Sequence, residues 1–234
     1  MGARLMRYLS RVELRTGLAL GQLASAIPQN AYADHQVIWR LMSHADDEPR
    51  GFLFRREQIG HWPVFYVLSE CEPMDSDPAW QVASKRFDPQ LTVGSRLGFV
   101  LRANPVSTRK ASSDPADRRR YRDDVVMQEK RREVERVLDP NKRASQAQLV
   151  QRAGPGWLAN RVERNGFALE ALHVDGYRQH RLSKRGQDHA IRFSPLDYQG
   201  VLRVVDVDRF LTTLANGIGP AKAFGCGLLL VRRA

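Results

Sequence analysis

Cysteine and long hydrophobic runs are scarce in this sequence, and each absence excludes a class of protein. Cys71 and Cys226 are too few and too far apart for a disulfide framework, and no Cys and His residues stand at zinc-ligand spacing. No apolar run approaches the ~20 residues that span a bilayer, and Arg4 and Arg7 interrupt the N-terminal segment. We therefore expect a cytoplasmic protein that is neither secreted nor inserted in a membrane.

Acidic residues are outnumbered by basic ones, which points to a polyanionic partner. The chain of 234 residues has 37 Lys and Arg against 26 Asp and Glu, a net charge of +11. Clustered basic residues release counterions when they meet phosphates, so RNA and DNA both qualify. The arginine-rich runs at 118–120 and 130–132 favour phosphate contacts. The acidic residues interleaved after the second run leave a solvated helix face as an equal alternative there.

Alternating and helical periodicities predict six elements in the first half of the chain. In chain order they are strand 7–14, helix 30–44, strands 52–56 and 62–69, helix 78–86 and strand 96–104. This order is typical of a ferredoxin-like, RRM-type sheet with both helices on one face. We therefore predict an N-terminal domain over 1–106 and a polar linker over 107–118.

The second half predicts a similar unit. Its elements are strand 121–127, helix 128–138, a helix from Gly154-Pro155 to Asn165-Gly166, strands 167–174, 191–193 and 201–205, a helix from Asp206 or Asp208 to Asn216, and strand 228–231. The two halves share this element order but no visible sequence identity. The predicted fold class is α+β, with two tandem ferredoxin-like domains and the second over 119–234.

A glycine-rich stretch over 217–227 lies between the last predicted helix and the last predicted strand. Gly217, Gly219, Gly225 and Gly227 would let the backbone approach a phosphate chain closely, and Lys222 adds positive charge. A P-loop is excluded, because that motif runs from strand to helix and its lysine precedes Ser or Thr. On spacing alone, a structural turn is the stronger interpretation.

Tyr32 and His35 fall in the first turn of the helix that Asn30 can cap. Residues three apart share a helix face, so both side chains project together near a helix N-terminus, where backbone amides favour an anion. His is well matched to proton transfer near neutral pH, and RNA carries its own nucleophile in the 2′-hydroxyl. The pair predicts a ribonuclease site, although a single His is more often a core or surface residue.

A basic segment over 173–189 predicts a hairpin that contacts an RNA groove. Its cationic residues are Arg178, Arg181, Lys184 and Arg185. Such a projection reads the A-form backbone by shape, and a solvated loop is the alternative. No Ser-His-Asp or Cys-His arrangement and no set of carboxylates at metal spacing stands out, so any hydrolysis is expected to need no metal.

Four segments together resemble the CasE family, the CRISPR RNA-processing endoribonucleases of Cascade-type (type I-E) systems. They are Tyr8-Leu9-Ser10, Tyr32 with His35, Leu101-Arg102-Ala103-Asn104-Pro105, and Gly217 to Gly227. The resemblance implies two tandem ferredoxin-like domains and metal-independent cleavage on the 3′ side of the repeat stem-loop. It further implies products with a 2′,3′-cyclic phosphate and a 5′-hydroxyl, and a protein that retains its RNA as a subunit of Cascade.

The resemblance also implies roles for individual residues. His35 matches the family histidine that acts as general acid or base, and Tyr32 matches a tyrosine that orients the reacting groups. The glycine-rich stretch matches a loop close to RNA, and the basic segment matches an element that contacts the repeat stem. Gln36 stands where some relatives have a basic residue, and 128–144 has no counterpart. Implied partners are repeat RNA and other Cascade subunits, without a cofactor; the alternative function is a non-catalytic RNA-hairpin-binding subunit.

Overall fold

The protein folds into two compact units in a computed structural model that describes residues 7–42, 51–110, 120–182 and 190–234. The first unit comprises Met1–Leu91 with Leu214–Leu228, and the second comprises Thr92–Thr213 with Leu229–Ala234. The chain therefore leaves the second unit near its C-terminal end, adds a short segment to the first, and returns for its last strand. Within the described residues, no helix is long and apolar enough to cross a membrane.

A four-stranded antiparallel sheet forms the first unit. Its elements are β1 (Arg7–Leu14), α1 (Leu20–Ala26), α2 (Ala31–Arg40), β2 (Phe52–Ile59), β3 (Trp62–Ser69) and β4 (Trp80–Phe87). The strands lie in the ferredoxin-like order β2-β3-β1-β4. Helix α2 packs on one face through Val37, Ile38 and Leu41. The core beneath it contains the aromatic residues Phe52, Phe54, Phe65 and Trp80.

Strand β4 occupies residues for which the sequence predicted a helix over 78–86, and that prediction is wrong. Every second residue from Trp80 to Ser84 turns toward the core. Trp80 is fully buried, Val82 packs against the core, and Ser84 hydrogen-bonds Ser10 on β1 at 2.8 Å. Side chains that alternate between core and solvent are the signature of a strand buried on one face, not of a helix.

A second sheet of the same topology forms the second unit. Its elements are β5 (Arg96–Ala103), β6 (Val106–Lys110), β7 (Arg120–Asp124), α3 (Val125–Arg136), α4 (Gln146–Ala159), β8 (Phe167–Asp175), β9 (His180–Leu182), β10 (Ile191–Phe193), β11 (Leu196–Val204), α5 (Val207–Asn216) and β12 (Leu229–Arg233). The main sheet is antiparallel in the order β12-β5-β11-β8, while β6-β7 and β9-β10 form two-stranded sheets. The predicted class, two tandem ferredoxin-like units, is confirmed.

The division of the chain differs from the predicted boundaries at 1–106, 107–118 and 119–234. Strand β5, predicted as the last strand of the first domain, pairs with β11 and β12 and is the first strand of the second sheet. Strand β4 already fills the fourth place of the first sheet. The misread helix therefore displaced the boundary, because it left the first domain one strand short. The segment 214–228 belongs to the first unit, not to the second.

Two element boundaries in the second unit are set by side-chain caps that the sequence prediction did not identify. Helix α4 begins at Gln146, where Ser145 and Gln148 form a capping box, and Pro155 lies inside it rather than at its start. Strand β7 ends at Asp124, whose carboxylate accepts hydrogen bonds from the first amides of α3. The predicted strand 121–127 therefore extended too far into a helix.

The segment 128–144, which has no counterpart in the family pattern, is an integral part of the second unit. Helix α3 packs on α4, and Glu133 is buried between them. Its carboxylate accepts hydrogen bonds from the Ala144 amide at 2.9 Å and from Arg152 at 2.9 Å, and it also pairs with Arg136. The Ala144 hydrogen bond, followed by the arginines, holds the pKa of Glu133 below its ordinary value.

Two glycines of α4 give a matched test of this packing. A Cβ at exposed Gly156 would meet no atom within 4 Å, so Gly156→Ala should stabilise the protein by about 0.5–1 kcal/mol through helix propensity. A Cβ at Gly154 would lie 2.8 Å from a methyl of buried Val174 and 3.1 Å from buried Leu196. Gly154→Ala should therefore destabilise by about 1–3 kcal/mol. Urea unfolding measures both changes, and equal stability of the two variants would contradict the packing.

Candidate functional site

Helix α2 is held at its N-terminal end by a cap and an ion pair. The Asn30 side chain accepts hydrogen bonds from the amides of Tyr32 and Ala33, both at 3.0 Å. Arg56 on β2 donates to the Asp34 carboxylate at 2.9 Å and to the Pro28 carbonyl at 3.1 Å. Asp34 is buried, so the pair fixes the first turn of the helix to the sheet.

The cap alters one expectation about this helix. The sequence suggested that amides at the start of α2 would bind a phosphate. Two of those amides, of Tyr32 and Ala33, already donate to the Asn30 side chain. The Asp34 amide donates to the Asn30 carbonyl, so these three amides serve the helix itself and are not available to a phosphate.

His35 lies in an aromatic environment on the face of α2 that turns toward β2. Its ring centroid is 5.6 Å from that of Trp39 on the same helix, 5.7 Å from Phe52 and 6.3 Å from Phe54. The histidine is half-buried among these rings. Tyr32, one turn earlier, is 47% exposed. The predicted helix position and the shared stripe of Tyr32 and His35 are thus seen in the structure.

The glycine-rich stretch joins the same unit as His35, although nearly two hundred residues separate them in sequence. It contains a short 3₁₀ turn over Lys222–Phe224 that contacts α2 and β2. A Cβ at Gly225 would lie 3.4 Å from the ring of Phe54, which also packs near His35. We call His35, Trp39, Phe52, Phe54 and Gly225 the histidine–glycine cluster.

Close packing of its own backbone closes the glycine-rich stretch into a loop. The Ile218 amide donates to the Gly227 carbonyl at 2.9 Å, and a Cβ at Gly217 would lie 2.6 Å from that carbonyl oxygen. Gly217, Gly219, Gly225 and Gly227 all have positive φ. The structural-turn interpretation is therefore correct for the loop backbone. Lys222 is partly exposed, with its aliphatic stem over Gly227.

The predicted basic hairpin contains strands β9 and β10, in which His180–Leu182 pairs with Ile191–Phe193. Arg178 and Arg181 are exposed there, whereas Lys184 and Arg185 lie outside the described residues. His180 stacks on Phe193 with ring centroids 4.7 Å apart and nearly parallel planes. Burial, and then the charges of Arg178 and Arg102, lower the pKa of His180. Burial and the neighbouring positive charges thus disfavour the protonated form of this imidazole.

A hydrogen bond secures the base of this hairpin. The Tyr177 hydroxyl donates to the Asp124 carboxylate at 2.7 Å. Burial, followed by this hydrogen bond and the charge of Asp124, raises the pKa of Tyr177 to about 12. Tyr177 therefore stays protonated and continues to donate to Asp124 well into alkaline pH, which favours a fixed position for the adjacent Arg178.

Segment Leu101 to Pro105, part of the family resemblance, has a structural role in this molecule. Arg102 on β5 makes a two-pronged ion pair with Asp197 on β11, at 3.0 and 2.9 Å. Asn104 is buried and accepts a hydrogen bond from the Ser194 amide at 3.0 Å. These contacts tie the end of β5 to the segment that follows the basic hairpin.

Sequence reasoning missed three residues around the histidine. Trp39 stands four residues after His35, a spacing that places both on one helix face and so could have identified it. Phe52 and Phe54 alternate along β2 as core residues do, but no local signal connects them with His35. Among the described residues, no three His, Cys, Asp or Glu side chains form a group that could hold a metal ion.

Comparisons with known proteins agree on one family. A family model described as CRISPR associated protein matches residues 7–233. The chain is 28% identical over 213 residues to the CRISPR system Cascade subunit CasE of Escherichia coli, covering 88% of this chain and 94% of that protein. It is also 28% identical over 219 residues to the CRISPR-associated endoribonuclease Cse3 of Thermus thermophilus, covering 86% and 90%.

A solved structure extends this similarity to three dimensions. It is Thermus thermophilus Cse3 bound to an RNA representing a pre-cleavage complex, at 28% identity and a TM-score of 0.65. The alignment covers 97% of this chain and 99% of the other. Both units of the present fold are therefore matched, including the segment that carries the glycine-rich loop.

The packing of the loop yields a prediction with an internal control. Gly217→Ala places a Cβ 2.6 Å from the Gly227 oxygen and 2.9 Å from Leu53, at a positive φ of 71°. Gly60→Ala, in the β2–β3 turn, has a similar φ of 59° but meets no atom within 4 Å. The control should cost about 1–2 kcal/mol from backbone strain alone, and Gly217→Ala clearly more. Equal unfolding midpoints in guanidinium would show that the loop relaxes freely.

Proposed function

The chain belongs to the CRISPR associated protein family, and on that premise we propose that it is an endoribonuclease for CRISPR repeat RNA. It binds the repeat stem-loop and cuts precursor RNA on the 3′ side of the stem. Its relatives are named as a Cascade subunit and a CRISPR-associated endoribonuclease. The observation that carries the proposal is the position of His35, packed among aromatic rings in one unit with the glycine-rich loop.

The proposed chemistry uses the 2′-hydroxyl of the RNA as nucleophile and needs no metal. In-line attack on the adjacent phosphate, with loss of the 2′-hydroxyl proton, forms the bond of a 2′,3′-cyclic phosphate. The bond from phosphorus to the 5′-oxygen breaks, and that oxygen takes up a proton and leaves as a hydroxyl. His35 moves a proton in this step as general acid or base, a contribution of typically ~10²–10⁴-fold. The half-exposed Tyr32 hydroxyl assists with orientation, and Lys222 offsets the charge on the phosphate.

Binding of the stem is assigned to the basic hairpin of the second unit. Arg178 and Arg181 are exposed there, and Lys184 and Arg185 extend the run in sequence. An RNA stem has a deep major groove that side chains cannot read, so contacts go mainly to phosphates and 2′-hydroxyls. Retention of the product as a Cascade subunit follows from the same contacts. Cys71 and Cys226 are not joined in a disulfide, which suits a reducing cytoplasm as the expected compartment.

The first test replaces the histidine. His35→Ala should lower single-turnover cleavage of labelled repeat RNA by at least about 10²-fold, with affinity for the stem-loop within a few-fold of wild type. His61→Ala is the matched control. His61 is an exposed residue of the β2–β3 turn. That turn follows Ile59, which is seven strand steps or roughly 23 Å from Phe52, so the His61 variant should cleave normally.

Three RNA and buffer conditions separate this mechanism from its alternatives. Cleavage should persist in EDTA and stop when the nucleotide before the cut is 2′-deoxy, while binding remains. A cyclic phosphate at the upstream end should be found by its resistance to alkaline phosphatase until acid opens it. Wild-type protein that binds the stem-loop and leaves it whole would instead establish the alternative, a non-catalytic RNA-hairpin-binding subunit. Equal affinity for DNA of the same sequence would contradict both.

The role of the basic hairpin predicts a change in salt dependence. Arg178→Gln with Arg181→Gln should weaken stem-loop binding and reduce the slope of log affinity against log salt by about 1 for each arginine that binds a phosphate in the wild type. The matched control, Arg96→Gln with Arg209→Gln, removes the same charge from side chains that are 65% and 60% exposed. If both pairs change the slope alike, net charge rather than the hairpin accounts for binding.

A further inference from the structure

Trp39 lies one turn after His35 on α2, and its indole packs against the histidine ring. The two rings are 5.6 Å apart at an interplanar angle of 29°, and the indole centroid is 6.2 Å from that of Phe52. Helix side chains lean toward the N-terminus, so a residue covers the turn that precedes its own Cα. The Trp39 indole therefore covers one side of His35.

The same indole keeps a solvent-facing surface. Trp39 is 38% exposed, whereas Trp80 and Trp157 are core residues with 1% and 4% exposure. The core-facing positions of α2 are filled by Val37 and Ile38, and Leu41 at its C-terminal cap is buried beside them. Trp39 thus stands at the rim of the helix–sheet contact, with one part of its ring system against the proposed catalytic side chain and another part open to a ligand.

An exposed aromatic ring next to the reacting centre suits an unstacked nucleotide. In-line attack by a 2′-hydroxyl requires that the nucleotide leave regular A-form stacking, because helical RNA holds the attacking and leaving oxygens out of line. Proteins that bind unstacked nucleotides place the bases on aromatic side chains. The phosphate belonging to such a base is only one ribose away from it. A base stacked on Trp39 would therefore bring its phosphate to His35.

We propose that Trp39 is the stacking surface for the base beside the scissile phosphate and in this way places that phosphate against His35. The proposal rests on the proposed function. Tyr32, His35 and Trp39 then form one stripe on α2, at spacings of three and four residues. Tyr32 and His35 act on the phosphate, and Trp39 holds the base.

The first experiment compares three variants in single-turnover cleavage of repeat RNA at saturating protein. Trp39→Leu should cleave about tenfold or more slowly, because stacking on an aromatic side chain stabilises a bound base by ~1–3 kcal/mol. Trp39→Phe keeps an aromatic face and should recover most of the rate. Trp62→Leu removes another exposed tryptophan of the same unit, 47% exposed, and should change nothing. Thermal unfolding of each variant establishes that it is folded.

The decisive experiment removes the base instead of the side chain. Two RNAs carry an abasic ribose on the 5′ or the 3′ side of the mapped cut. One of them should slow the wild-type enzyme as much as Trp39→Leu does, and that same RNA should cause no further loss in Trp39→Leu. The proposal would be overturned if each abasic RNA slowed Trp39→Leu by the same factor by which it slows the wild type. Trp39 would then act only through the His35 ring. Unchanged cleavage by Trp39→Leu of intact RNA would also overturn it.

Failure of the proposed function is distinguishable from failure of this inference. If wild-type protein binds the repeat RNA without cutting it, the nuclease assignment fails. The stacking proposal is then decided by affinity for intact RNA and for RNAs abasic at single-stranded positions flanking the stem. At one such position the abasic ribose should weaken binding to wild type and not to Trp39→Leu. Equal penalties for both proteins at every position would reject it.

Discussion

The ring of Phe54 is the contact on which the candidate site depends. It belongs to the core of the first unit, beside Phe52 and Phe65, and it is 1% exposed. One part of its surroundings is the imidazole of His35, and another is the backbone at Gly225. A rigid, fully packed ring can hold two segments at a fixed separation, as a flexible side chain could not. The distance between helix and loop is thereby set by core packing.

Charged residues in this molecule divide into those that hold the fold and those that face solvent. Asp34 with Arg56 fixes the start of α2, and Arg102 with Asp197 joins two strands of the second sheet. Removing one partner of a partly buried pair leaves the other charge poorly compensated, so such pairs determine geometry more than net stability. The arginines of the basic hairpin, Arg178 and Arg181, face solvent instead. A net charge of +11 is therefore a poor guide to which cations meet a phosphate.

Local sequence patterns predicted the positions of the catalytic candidates, whereas contacts between distant segments could not be predicted from the sequence. Asn30 caps α2 as expected, and the helix places Tyr32 and His35 on one stripe because that relation depends only on helical spacing. Strand β4 was misread because its polar residues obscured the alternation of Trp80, Val82 and Ser84. That single error moved the domain boundary, since β5 was then needed to complete the first sheet.

The approach of the glycine-rich loop to His35 could not be read from either segment alone. It depends on Phe54 and Leu53, which lie on opposite faces of β2. Nothing in the local sequence around these two residues indicates that they contact the glycine-rich loop. Family resemblance supplied the association between the loop and the histidine; the packing supplies its physical cause. The same limit applies to Trp39. Its spacing from His35 could be predicted from the sequence, but its exposure beside that histidine is known only from the structure.

The first unit, which contains the candidate site, is built from two segments that are far apart in sequence. The first unit has no helix between β3 and β4 over residues 70–79, and its compact body is completed by Leu214–Leu228 from the far end of the chain. Helix α5 begins in the second unit and leads directly into this segment, which then continues as β12 of the second sheet. The glycine-rich loop, 217–227, lies within this segment and packs on the first unit, while the chain before and after the segment belongs to the second. The hydrogen bond from the Ile218 amide to the Gly227 carbonyl closes this loop on itself, so packing on Phe54 costs it little additional conformational entropy. The histidine–glycine cluster therefore depends on two segments that are far apart in sequence, and both of them belong to the first unit.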